Sequence, residues 1–137
     1  MQQLAMKDVE SHPLLLLWLA SQRPRQHFLL RCEPGRFDSV AEQVAMLGVP
    51  PVRYCSLPGR LQLPADKSGT LLLNDVAALA LEDQIALYDW LGIGAEELRV
   101  VSVTTRALAP LVARGAFLEG LLHRLGAVQF NLTLREC

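Results

Sequence analysis

The run Gly69-Thr70-Leu71-Leu72-Leu73-Asn74-Asp75-Val76 decides the fold. Three consecutive leucines, bounded by a glycine and two turn-prone polar residues, do not alternate in and out as a half-exposed strand does. They read as a strand buried on both faces, the mark of a central strand in a parallel sheet. Parallel neighbours need crossover connections, usually helices, and the chain supplies them on either side. Leu81 to Leu91 reads as an amphipathic helix, with Leu81 and Ile85 on its apolar face and Glu82, Asp83 and Asp89 off it. Leu98 to Thr104 is a second buried strand, followed by helices over 108–114 and 117–125 and a strand over 128–132. Upstream lie a strand over 52–55, a helix over 39–47 stopped by Gly48, and a strand over 27–32. Ala5 to Ala20 reads as a further helix, interrupted near Pro13. Such alternation predicts one α/β domain over residues 1–137, with a parallel sheet of about five strands covered by helices on both faces. Ligands bind such sheets at the carboxyl ends of the strands. Glu33, Asn74, Asp75, Thr104 and Thr105 stand there.

Composition narrows the function. The chain has 137 residues, 51% of them hydrophobic and 20% charged, which suits one folded core and excludes disorder. Thirteen Lys and Arg against fourteen Asp and Glu give a net charge of -1, without the cationic excess that a general nucleic-acid or anionic-membrane surface needs. Only Lys7 and Lys67 are lysines, so lysine chemistry has almost no candidates. Cys32, Cys55 and Cys137 show no C-x-x-C spacing, and His12, His27 and His123 are isolated. Reduced thiols in a cytoplasmic protein are expected, not a zinc site. The most apolar stretch, Pro13 to Ala20, is too short to span a bilayer, and Asp8 and Glu10 before it argue against a signal peptide.

Several blocks, taken in order, resemble the AAA+ (P-loop NTPase) domain of bacterial sigma-54-dependent transcriptional activators. Ala5-Met6-Lys7-Asp8-Val9 resembles that family's S-P-A-M-x-x-V opening, and Phe28 to Gly35 its L-I-x-G-E-x-G-T-G-K-E strand and phosphate loop. Val52 to Leu57 loosely resembles F-x-x-x-N-C. Gly69 to Val76 is similar to G-T-L-F-L-D-E-I, and Gln84 and Leu87 fall in place in the helix that follows. Val101 to Leu108 resembles I-A-A-T-N-R-D-L. Gly115 to Leu125 resembles G-x-F-R-E-D-L-Y-Y-R-L, and Leu134-Arg135-Glu136 the closing P-L-R-E-R. The resemblance implies a three-layer P-loop NTPase-like sandwich.

The departures from the family pattern imply a degenerate member. The loop positions are Glu33, Gly35, Arg36, Asp38 and Ser39, with Phe37 in place of the second glycine and Asp38 in place of the lysine. A carboxylate there repels phosphates that the lysine would neutralise, and Arg36 lacks the reach and point geometry to replace it. The magnesium and water-polarising pair is Asn74-Asp75, one charge fewer and one methylene shorter than the family's D-E. Asp75 is thus Walker B-like, Thr105 sensor-like and Arg124 arginine-finger-like, while Leu118 replaces the other finger arginine. For Arg124 a solvated helix position is the equal alternative, and Thr104 and Thr105 read as hydroxyls bonded to backbone. The run Pro58 to Ser68 stands where the family carries its sigma-contacting G-A-F-T-G-A loop, and the chain ends before a helical lid or a DNA-binding helix-turn-helix.

No cofactor is therefore expected, and ATP with magnesium binds weakly at most. The expected role is regulatory, through a protein partner such as a sigma-54 activator or a longer product of the same gene, without direct nucleic-acid or membrane contact. A monomer or weak dimer is expected, with an apolar patch near Leu111, Phe117 and Leu121. A receiver-like phosphoacceptor module is the alternative from another class, with Glu33, Asp75 and Thr105 in its acid, acceptor and hydroxyl roles. It lacks a lysine near the fifth strand. A folded remnant without present function is a third reading.

Overall fold

The computed structural model describes residues 27–131. The readings placed on Ala5–Ala20, Leu132 and Leu134 to Glu136 lie outside those residues. The described chain runs β1 (Phe28–Arg31), a 3-10 turn (Pro34–Arg36), α1 (Phe37–Leu47), β2 (Val52–Ser56), β3 (Ser68–Asn74), a second 3-10 turn (Val76–Ala78), α2 (Leu81–Gly92), β4 (Glu97–Thr104), α3 (Ala109–Ala113), α4 (Glu119–Leu125) and β5 (Val128–Asn131). All strand pairings are parallel, in the order β2-β3-β4-β1-β5. Leu71-Leu72-Leu73 and Val100-Val101 thus lie on interior strands, as the apolar runs require. Leu72 pairs in register with Val101 on one side and Tyr54 on the other.

The strand order corrects the receiver alternative. Receiver-type sheets run 2-1-3-4-5, with the first strand beside the third. Here β4 lies between β1 and β3, so the ends carrying Glu33 and Asp75 are not neighbours.

Two apolar layers flank the sheet. Phe28, Leu30, Leu72, Val101 and Val103 face α1, which contributes Val40 and Val44. Leu29, Leu71, Leu73, Leu98 and Val100 face α2, α3 and α4. The patch expected at Leu111, Phe117 and Leu121 belongs to this second layer: the three residues are 5%, 2% and 0% exposed, so they are core. The face of α2 is also corrected. Leu81 and Ile85 point outward, at 46% and 52% exposure, and Gln84, Leu87 and Leu91 point inward. The inward stripe at i, i+3 and i+7 includes a glutamine because its amide is fully engaged. Nε2 donates to the carbonyls of Leu79 and Ala116, each at 3.0 Å, and Oε1 accepts the Leu118 N–H at 2.8 Å. That carboxamide ties α2 to the turn before α4.

The glycine that opens the deciding run has a specific duty. Gly69 adopts φ +80°, and a Cβ there would run into the backbone of Pro51. Next to it the Thr70 N–H donates to Pro51 O at 3.0 Å and Thr70 Oγ1 to Val49 O at 3.0 Å. The chain between α1 and β2 is thereby stitched to the start of β3.

Candidate functional site

Helix α1 starts just beyond the end of β1, and the run joining them is where a phosphate loop would lie. Cys32 continues the sheet pairing, its N–H donating to Thr104 O at 3.0 Å. Glu33 is extended (φ -72°, ψ 154°), and the Arg36 N–H closes back onto Glu33 O at 3.0 Å. Arg36 (φ -99°, ψ -3°) then leads directly into helical Phe37 (φ -62°, ψ -41°). Gly35 is not among the positive-φ glycines, and a Cβ built on it meets nothing within 4 Å. Anion-cradling backbone nests alternate right- and left-handed residues. The described run has no left-handed residue, so its N–H groups do not converge in that way.

The side chains reinforce the backbone. Asp38 lies exposed in the first turn of α1, with Ser39 exposed beside it. A carboxylate in a first turn complements the helix dipole. The helix end that would face a phosphate therefore carries its own anion. Of the charged groups in this run, only Arg36 is cationic. Cys32, 2% exposed, has its thiol pKa pushed up by burial, partly countered by nearby Arg36, so the thiol stays protonated.

At the end of β3, Asp75 is the one described non-glycine residue with positive φ (φ 64°, ψ 56°). Its N–H donates to Val103 O at 2.8 Å, and its carbonyl accepts the Ala78 N–H at 2.9 Å. Asp75 thus turns the chain off the sheet, and aspartate is among the few residues that tolerate this conformation. Asn74 is half-buried, and its carbonyl accepts the Leu57 N–H at 3.1 Å. Thr104 is buried, and its hydroxyl donates to Arg106 O at 2.8 Å and accepts the Arg106 N–H at 3.2 Å, as a backbone-bonded strand-end hydroxyl should. Thr105 is exposed.

Arg124 is half-buried and engaged with its own chain. Its guanidinium stacks over the Tyr88 ring at 4.0 Å and donates to Tyr88 O at 2.9 Å. It holds the last turn of α2, where a cation is favourable. A Cβ on Gly92 would press on that guanidinium at 3.0 Å, so glycine makes the room.

The segment before β3 folds back on the domain. Leu61 and Leu63 pack against the core, and the Trp90 indole N–H donates to Pro64 O at 2.9 Å. Lys67 donates to Ile93 O at 2.6 Å and lies 5.6 Å from the Trp90 ring, while Arg53 holds Asp66 O at 3.2 Å. The sheet therefore brings Glu33, Asn74, Asp75 and Thr105 to one edge, where the strand ends predicted them, and leaves Arg124 on α4. Sequence reading missed a cleft of about 370 Å³ at the ends of β1, β4 and β5, lined by none of these candidates. Among the described residues no group of three or more His, Cys, Asp or Glu is placed to hold a metal ion, and no helix is long and apolar enough to cross a membrane.

Comparison with known proteins agrees with this architecture. No curated protein sequence matches the chain significantly. Among solved structures, NtrX from Brucella abortus in complex with ATP superposes with TM-score 0.70 at 19% identity, over 95% of this chain and 37% of that one. The P-loop NTPase domain of an E. coli sigma-54 activator gives 0.56 at 16% identity, over 88% and 89%. RuvB from Thermotoga maritima gives 0.58 at 20%, over 93% and 44%. At these identities the structures establish the fold, and the chain spans little more than a third of the NtrX length. The family model for the sigma-54 interaction domain matches residues 52–134, from β2 onward, leaving β1, the loop and α1 before the matched span. With more than half of its length so matched, the chain belongs to the sigma-54 interaction domain family of AAA+ activators.

Proposed function

We propose that this chain is a degenerate AAA+ core of the sigma-54 activator type, a single domain that acts by protein contact in transcriptional regulation. Nucleotide binding is weak or lost, and the chain does not hydrolyse ATP. The observation that carries the reading is the β1–α1 connection. It has no left-handed residue at Gly35, Asp38 occupies the first turn of α1, and the run from Glu33 to Ser39 contains no lysine. Phosphoryl transfer is catalysed by positioning and charge neutralisation, and this connection supports neither. ATP and magnesium do not fit the residues present, so no step is assigned to them. The family match that starts only at Val52 supports the same reading.

The partner is a protein of the same regulatory system, either a sigma-54 activator or a longer product of the same gene, in the bacterial cytoplasm. The fold-back of residues 58–67 supports contact by a surface other than a projecting sigma-binding loop. Arg124, engaged with Tyr88 of its own chain, supports a monomer or weak dimer, because it is not held out toward a neighbouring subunit. Steady-state phosphate release from Mg·ATP is the test. The reading expects background rates from the wild type. Release above background that Asp75→Ala abolishes would refute it.

A further inference from the structure

The cleft at the carboxyl ends of β1, β4 and β5 is lined by Leu29, Leu108 and Leu122, which belong to the layer opposite α1. It encloses about 370 Å³, at the small end of the range for small-molecule sites. Among the described residues lining it, Arg31 at the end of β1 and Arg106 after β4 are the charged ones, and none is a carboxylate. Leu29, Leu108 and Leu122 supply an apolar wall, whereas Phe130 borders the cleft but turns its ring to the α1 face against Phe28. The Arg31 Nε is buried and has no hydrogen-bond partner among the described residues. A buried guanidinium N–H without an acceptor is costly, and the natural remedy is an acceptor from outside the chain. The Thr104 hydroxyl, also in the lining, is already spent on Arg106 backbone, so it does not serve Arg31.

From this combination we infer that the cleft binds a small organic carboxylate whose apolar body rests on the leucine wall and whose carboxylate meets Arg31 and Arg106. Guanidinium groups pair with planar carboxylates through parallel hydrogen bonds. The volume limits the ligand to about the size of an arylacetic acid. Of the phosphate-loop and strand-end candidates only Thr104 lines the site, and its hydroxyl is engaged with Arg106 backbone.

Phenylacetate serves as the probe, with phenylacetamide as its neutral counterpart and inorganic phosphate as an anion without an apolar body. Binding is read from amide NMR shifts of the 137-residue chain. The expected result is saturable movement at Leu29, Arg31, Thr104 and Gln129, with a dissociation constant of about millimolar for a ligand of this size. Phenylacetamide and phosphate should each bind at least roughly tenfold more weakly, the worth of one charge-assisted hydrogen bond. Arg31→Gln should weaken phenylacetate by a similar factor, and Asp38→Asn should leave it unchanged. If Arg31→Gln does not fold, Arg106→Gln provides the same reading from an exposed position. Equal affinity for acid and amide, shifts elsewhere on the surface, phosphate binding as tightly as phenylacetate, or indifference to both arginine changes would each overturn the inference.

Discussion

Replacing Gln84 by methionine removes one carboxamide and keeps nearly the same volume, so the cavity contribution is small. The wild-type side chain is 0% exposed and makes three hydrogen bonds, at 3.0, 3.0 and 2.8 Å. The substitution strands the Leu118 N–H and the carbonyls of Leu79 and Ala116. A buried polar group left without its partner costs about 1–3 kcal/mol. Leu118 is half-buried at the start of α4, so water relieves part of that penalty. The net loss expected is about 3 kcal/mol. With a urea dependence of about 1–3 kcal/mol per molar, the unfolding midpoint should fall by roughly 1–3 M at unchanged slope. Circular dichroism during urea titration of both proteins measures it. A loss under about 1 kcal/mol would mean that the α2–α4 tie is not what justifies a glutamine in the core, and the account of α2 would fail.

Other positions give independent checks. Gly69→Ala should cost at least about 1–2 kcal/mol from the left-handed backbone alone, plus the encounter with Pro51, whereas Gly35→Ala should be neutral or slightly stabilising. Thermal melts of the pair distinguish a structural glycine from one that is free to change. His27 accepts the Val100 N–H at 3.0 Å through Nδ1, and its pKa is lowered to about 4 by burial and then by Arg99. The unfolded chain therefore takes up the proton first as pH falls from 6.5 toward 4. Stability present above pH 6.5 should decline across that window by roughly 2–3 kcal/mol, and His27→Gln should flatten the decline. Ser102 Oγ is buried on β4 without a partner among the described residues, so Ser102→Ala should cost nothing or add stability. Light scattering at micromolar concentration should report a monomer or weak dimer, and Arg124→Ala should lower the melting temperature without changing the mass.

The interior strands were legible because burial on both faces leaves a mark that needs no partner information, as in Leu71 to Leu73 and Val100-Val101. The inward face of α2 was not. Leu81 and Ile85 form one apolar stripe, Leu87 and Leu91 another, and only the hydrogen bonds of Gln84 decide between them. Burial of Leu111, Phe117 and Leu121 depends on α3 and α4 closing over β4, which local sequence does not encode. At the site, the chemistry of Asp38 and Asn74 was readable from residue types alone. The tight turn at Arg36, the left-handed backbone of Asp75 and the Arg124–Tyr88 stack are matters of conformation. The cleft joins residues from both ends of the described chain, so no motif announces it.

Calorimetric titration with Mg·ATP of the wild type and of the double variant Asp38→Lys with Phe37→Gly tests the central claim most directly. The account predicts no saturable heat from the wild type up to millimolar nucleotide, and a gain of affinity in the double variant if the connection regains a phosphate-binding curl. Saturable binding to the wild type at micromolar nucleotide, weakened when Asp38 becomes lysine, would contradict it.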